Sequence, residues 1–116
     1  MSRRNDSELI ADILEAINRI SDYCAGVDYD KFIADTKTQD AIVRNLEVIG
    51  EAAKKISNTA REKNPNVPWR SMAGLRDRLI HDYFGINLDI VWEIISHDLP
   101  GVVRSLESIR NGEDNE

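Results

Sequence analysis

Apolar residues recur at three- and four-residue intervals along most of the chain, the period of a helix that buries one face. The first stripe is Leu9, Ile10, Ile13, Leu14, Ile17 and Ile20. Asp6 or Ser7 is expected to cap it, and it runs to about Cys24 before Gly26 ends it. Val27 to Ala34 reads as a short connecting turn of helix anchored by Tyr29, Phe32 and Ile33. A long helix is predicted from Thr36 or Thr38 to about Lys63, burying Ile42, Leu46, Ile49, Ala53 and Ile56. Gly50 in its middle costs ~1 kcal/mol relative to alanine, which points to a neighbouring helix passing close by.

Asn64-Pro65-Asn66-Val67-Pro68 is the clearest break. Pro68 suits the first turn of a new helix whose apolar face is Trp69, Met72, Leu75 and Leu79, with Gly85 closing the segment. Asn87 then caps a helix carrying Leu88, Ile90, Val91, Ile94 and Ile95. His97-Asp98-Leu99-Pro100 should kink or restart that helix, because proline lacks the backbone donor and its ring collides with the preceding turn. Val102, Val103, Leu106 and Ile109 finish the stripe. No repeat and no strand-like alternation is evident. The pattern predicts an all-α fold, a four- to five-helix bundle, largely antiparallel because the connections are short. One domain spans residues 1–110, and residues 111–116 form a polar tail expected to fray.

Composition narrows the class. With 116 residues, 41% hydrophobic and 31% charged, the chain is an ordinary soluble domain, large enough for one core. It shows neither a secretory leader nor an apolar run long enough for a bilayer, so no membrane role is expected. The lone Cys24 cannot form an intrachain disulfide and falls on an apolar stripe, which favours a structural thiol and a cytoplasmic setting. The net charge of −6 argues against coating nucleic acid by bulk electrostatics. Its distribution is uneven. Residues 54–78 carry 7 basic and 2 acidic groups, whereas the segments before and after them are net acidic. This basic stretch is either a solvated helix face or a local phosphate-attracting surface on an acidic body.

That stretch runs into Gly74-Leu75-Arg76-Asp77-Arg78-Leu79-Ile80-His81-Asp82-Tyr83. Arginine clamps a phosphate through paired hydrogen bonds, and histidine moves protons near neutral pH. Together they are the minimum needed to break a phosphodiester without a metal. On a straight helix Arg76 and His81 would stand about 140° apart and His81 and Tyr83 about 200°. These residues cannot share one face. Either the helix ends near His81, as Gly85 favours, or a second copy in a two-fold dimer completes the site; both together are the preferred arrangement. Two histidines, one cysteine and scattered acids give no recognisable metal-ligand spacing, so neither metal nor cofactor is expected.

Arg76-x4-His81, with polar Asp77 after the arginine and Tyr83 two past the histidine, resembles the Arg-x4-His-x-Tyr motif of HepT-like toxins of the HEPN superfamily. Ile49 to Lys54, Val67-Pro68-Trp69, Tyr83-Phe84-Gly85, Val91-Trp92 and His97 to Pro100 also resemble that family's segments, in the same order. The resemblance covers most of residues 7–110. It implies a helical, dimerising, metal-independent endoribonuclease that acts on RNA as the toxin of a toxin–antitoxin pair. The implied antitoxin partner is a minimal nucleotidyltransferase. Arg76 and His81 would be the catalytic pair, Asp77 would orient the arginine, and Tyr83 would be the site of AMPylation that silences the toxin.

Blander readings stand beside this one. His81 alone would be a structural hydrogen-bonding residue, Arg76 would pair with an acid such as Asp82, and Tyr83 would be half-buried. Trp69 and Trp92 read as core or interface residues, and His97-Asp98 as a cap. The competing functions are a non-catalytic helical module that positions a nucleotidyltransferase or its nucleotide, and a plain dimerisation domain.

Overall fold

A computed structural model describes residues 4–80 and 85–114, with side chains as far as Arg110. Eight α-helices follow one another among these residues: α1 (Asp6–Cys24), α2 (Tyr29–Ala34), α3 (Thr36–Lys55), α4 (Asn58–Lys63), α5 (Trp69–Ala73), α6 (Leu75–Leu79), α7 (Leu88–Glu93) and α8 (Leu99–Asp114). A π-helical turn, Ile94–Asp98, joins α7 to α8. The described residues hold no strand, only an isolated antiparallel bridge between Ile80 and Ile86. The all-α expectation is met. Within those residues no helix is long and apolar enough to cross a membrane.

The core is the union of the expected stripes. Leu9, Ile13, Ile17 and Ile20 of α1 pack with Ile42, Leu46, Ile49 and Ala53 of α3 and with Val102 and Leu106 of α8. Phe32 of α2 is fully buried, its ring 5.3 Å from that of Trp92. Trp69 is a core residue whose indole N–H donates to the Asn64 carbonyl at 3.0 Å. Both tryptophans therefore serve packing, as their helical spacing implied.

Helix α1 begins one residue earlier than expected. Asn5 is the cap: its side chain accepts from the Glu8 amide, and Glu8 reaches back to the Asn5 amide, a reciprocal capping box. Asp6, expected to cap, is used elsewhere. Its carboxylate accepts from the Ser57 amide at 2.9 Å and the Ser57 hydroxyl at 2.6 Å. This bond joins the start of α1 to the chain just beyond α3, so the two helices run antiparallel.

The same contact explains why the predicted long helix ends at Lys55. Ile56 turns to extended backbone, and Ser57 caps a separate α4 by accepting from the Ala60 amide. Arg61 then folds back and donates to the Ala53 carbonyl at 2.9 Å, which also accepts from the Ile56 amide at 3.3 Å. A 20-residue α3 and a 6-residue α4 thus replace one continuous helix. At Gly50 the expected close approach is present: a Cβ there would lie 3.4 Å from the Met72 carbonyl oxygen and 3.8 Å from the Leu75 Cβ. The backbone of α5 is therefore seated directly on α3, with the Leu75 side chain of α6 beside it.

The restart expected around Pro100 takes the form of the π turn. The Leu99 amide reaches back five residues to the Ile94 carbonyl, and the backbone on either side stays helical. Proline at position 100 has no N–H to give and crowds the carbonyl four residues before it; a wider turn relieves that crowding without ending the helix. The extra residue also brings Ile94 and Leu99, five apart, onto the same buried face. Helix α8 continues to Asp114, four residues into the stretch expected to fray.

Candidate active site

The segment from Trp69 to Leu79 is two short helices rather than one. Gly74 interrupts it, donating back to the Arg70 carbonyl and accepting from the Arg78 amide at 3.2 Å. Helix α6 is thus a single turn and a half with no side-chain cap at its start. At its end Ile80 adopts extended backbone, so the helix stops at Leu79. The helix thus ends near His81, as Gly85 favoured. Gly85 has φ of +91°, a conformation open to glycine and strained for other residues. Ile86 pairs with Ile80, and the Asn87 amide donates to the Leu79 carbonyl at 2.8 Å. The described residues on either side, Ile80 and Ile86, are therefore adjacent. His81 and Tyr83, with Asp82 and Phe84, lie outside the described residues.

The geometry of α6 assigns its side chains. Leu75 and Leu79 are buried along one line, 3% and 1% exposed. At about 100° per residue, Arg76 and Arg78 stand on opposite flanks, each about 80° from that line, and Asp77 points away from the core. All three are exposed. Arg78 pairs with Asp98 of the π turn, Nη1 to Oδ2 at 3.3 Å. Arg76 makes no ion pair with another described residue. Asp98, read from sequence as part of a cap, instead meets an arginine twenty residues earlier.

The chain that follows Ile86 is anchored as firmly. Asn87 caps α7, accepting from the Ile90 amide at 3.1 Å. Tyr29 of α2 donates to Asp89 in the first turn of α7, and its ring meets Trp92 edge-on at 5.9 Å. The hydrogen bond to Asp89 is the largest cause raising the Tyr29 phenol above its ordinary pKa. Ile80 and Ile86, which pair with each other, are both exposed. Of the seven cations in residues 54–78, Arg61 is turned inward to α3 and Arg78 to Asp98, while Arg70 and Arg76 face solvent.

Cys24 is half-buried, and burial pushes its thiol pKa up, which keeps it protonated. It belongs to an open groove of about 600 Å³ between the end of α1 and the start of α8. Among the described residues no group of three or more His, Cys, Asp or Glu side chains gathers as a metal site.

The all-α fold of the described residues is that expected of a helical bundle of HEPN type. The chain belongs to the ribonuclease HepT-like family, whose model matches residues 13–109. It is 42% identical to the protein of Methanocaldococcus jannaschii named "Putative RNase MJ1380", over 94% of this chain and all of that one. It is 39% identical to a probable ribonuclease HepT of Thermococcus cleftensis, over 93% of this chain and 98% of the other. A more distant relative, the mRNA nuclease HepT of Shewanella oneidensis, is 28% identical over 87% of this chain and 92% of its own. No solved structure gives a significant match.

Proposed function

We propose that the protein is a metal-independent endoribonuclease and the toxin of a toxin–antitoxin pair, with its site in a cleft between two copies of the chain. The observation that carries this reading is an exposed Arg76 on a helix that stops at Leu79, just short of His81. A relative named as an mRNA nuclease supports RNA as the substrate. The exposed pair Ile80 and Ile86 supplies an apolar rim that a second copy would cover.

RNA brings its own nucleophile. His81 accepts the proton of a 2′-hydroxyl as its oxygen attacks the adjacent phosphorus. The bond to the 5′-oxygen breaks, and that oxygen leaves with a proton from the second copy's histidine. The products are a 2′,3′-cyclic phosphate and a 5′-hydroxyl. Arg76 holds the charge that builds on the phosphorus oxygens, and Asp77 orients Arg76. Tyr83 is the residue that a minimal nucleotidyltransferase antitoxin modifies with AMP. The added phosphate then competes for Arg76 and fills the cleft. Such chemistry belongs in the cytoplasm, where transcripts are.

The test is direct. Purified protein is expected to cleave single-stranded RNA in the presence of a chelator; cleavage only on adding a divalent metal would refute the mechanism. Failure to cleave at all, with retained binding to a nucleotidyltransferase, would favour the non-catalytic module. For the modification, intact mass after reaction with the nucleotidyltransferase and ATP is expected to rise by one AMP, and not in Tyr83→Phe. A gain that survives in Tyr83→Phe would move the site elsewhere.

A further inference from the structure

We infer that Asp98 is a positioning residue for Arg76: its ion pair with Arg78 fixes the rotation of α6 and so the direction in which Arg76 points. The inference rests on the nuclease reading above. Helix α6 has five residues and no side-chain cap, and its buried contacts, Leu75 and Leu79, lie along a single line. Backbone bonds hold its ends at Gly74 and Leu79, which leaves rotation about that line as its softest motion. Stopping the roll takes a second attachment off that line, and Arg78 supplies one about 80° to the side opposite Arg76. The lever is rigid because both arginines belong to the same turn and a half of helix.

The partner is delivered by the π turn. Had the helix from Leu88 onward kept its ordinary register, side chains beyond Ile94 would be rotated by roughly one residue's turn, about 100°. With the wider turn imposed ahead of Pro100, Asp98 meets Arg78. The two side chains reach across a concavity of about 280 Å³ that separates α5 and α6 from α8, floored by Met72, Ile94 and Leu99. Helix α6 is therefore not packed flush on this side, and the ion pair crosses the gap. Both partners are nearly half exposed, at 43% and 45%, and a pair of that kind contributes little to global stability. Its loss should register in catalysis and scarcely in melting.

The experiment measures kcat and KM for metal-free cleavage of a synthetic single-stranded RNA, together with the melting temperature. The variants are Asp98→Ala, Asp98→Asn and the exchange Arg78→Asp with Asp98→Arg, with Asp98→Ala also made in an Arg76→Ala background. Misplacing a catalytic group by about 1 Å can cost up to ~100-fold. Asp98→Ala is accordingly expected to lower kcat about tenfold, with KM and melting near those of the parent. The exchange should restore most of kcat, and Asp98→Ala should cost nothing further once Arg76 is gone. If Asp98→Ala melts early, Asp98→Asn, which keeps the shape and removes the charge, is judged by the same kcat criterion.

A rise in KM with unchanged kcat would mean that the pair touches RNA instead, and would overturn the inference. So would an equal loss in the Arg76→Ala background, or full activity of both Asp98 variants beside an active parent. An inactive parent would overturn the nuclease reading first and this inference with it.

Discussion

Arg76→Ala is expected to reduce RNA cleavage by about a hundred- to a thousandfold, the usual cost of removing one preorganised donor to a developing oxyanion. His81→Ala is expected to lose at least about a hundredfold, the lower range of general acid–base catalysis. Arg76→Ala should not disturb folding, because Arg76 is exposed and makes no ion pair with another described residue. Arg104→Ala on α8, which removes the same charge from an exposed position, is the matched control and should leave cleavage unaltered. Initial rates on one RNA, with circular dichroism of each variant, check the expectation. Equal losses in Arg76→Ala and Arg104→Ala would mean that only bulk charge is being read.

Leu79→Ala should have the largest effect on stability among residues of the site. The side chain is 1% exposed, and it is the last residue of α6 before the backbone turns away. Truncating a buried leucine costs about 2–5 kcal/mol through lost burial and the cavity left behind. For a domain of this size that corresponds to a fall of roughly 10–20 °C in melting temperature. Because Leu79 also pins the helix that bears Arg76, cleavage should fall at temperatures where the variant is still folded. A Leu79→Ala protein that melts near the parent would show that α6 is not held by the core. Leu79→Met, similar in volume, should cost less than about 1.5 kcal/mol and keep activity.

Much of this arrangement was legible in the order of residues, and the misses share a cause. The stripes of α1, α3 and α8 are local signals, and each turns the residues its period named toward the core, with Val103 and Ile109 of α8 only partly buried. The break inside the predicted 36–63 helix depends on Asp6 reaching Ser57 from the other end of the molecule, a contact no window of sequence contains. By contrast, the true cap of α1 was visible: Asn5 and Glu8 are spaced as a capping box, a stronger signal than Asp6 or Ser7 standing alone. The π turn also left a trace. Ile94 and Leu99 are five apart, a spacing that ordinary helix cannot place on one buried face, and Pro100 follows directly.

For the site, an end of the helix near His81 followed from local geometry, since Gly85 favoured a turn. The pairing of Ile80 with Ile86 and of Arg78 with Asp98 did not. Both join residues whose approach depends on how α7 returns to the bundle. An exposed aspartate two residues before a proline reads as a cap until the partner across the gap is known.

The central claim is that an arginine and a histidine drive attack by the RNA's own 2′-hydroxyl. It is tested most directly by two synthetic RNAs, identical except for a single 2′-deoxyribose on the 5′ side of the cut, incubated with the protein in chelator. The all-ribose strand should be cut there to a 2′,3′-cyclic phosphate, and the deoxy strand should resist at that position alone. Equal cutting of both strands, or cutting that appears only when divalent metal is restored, would contradict the account.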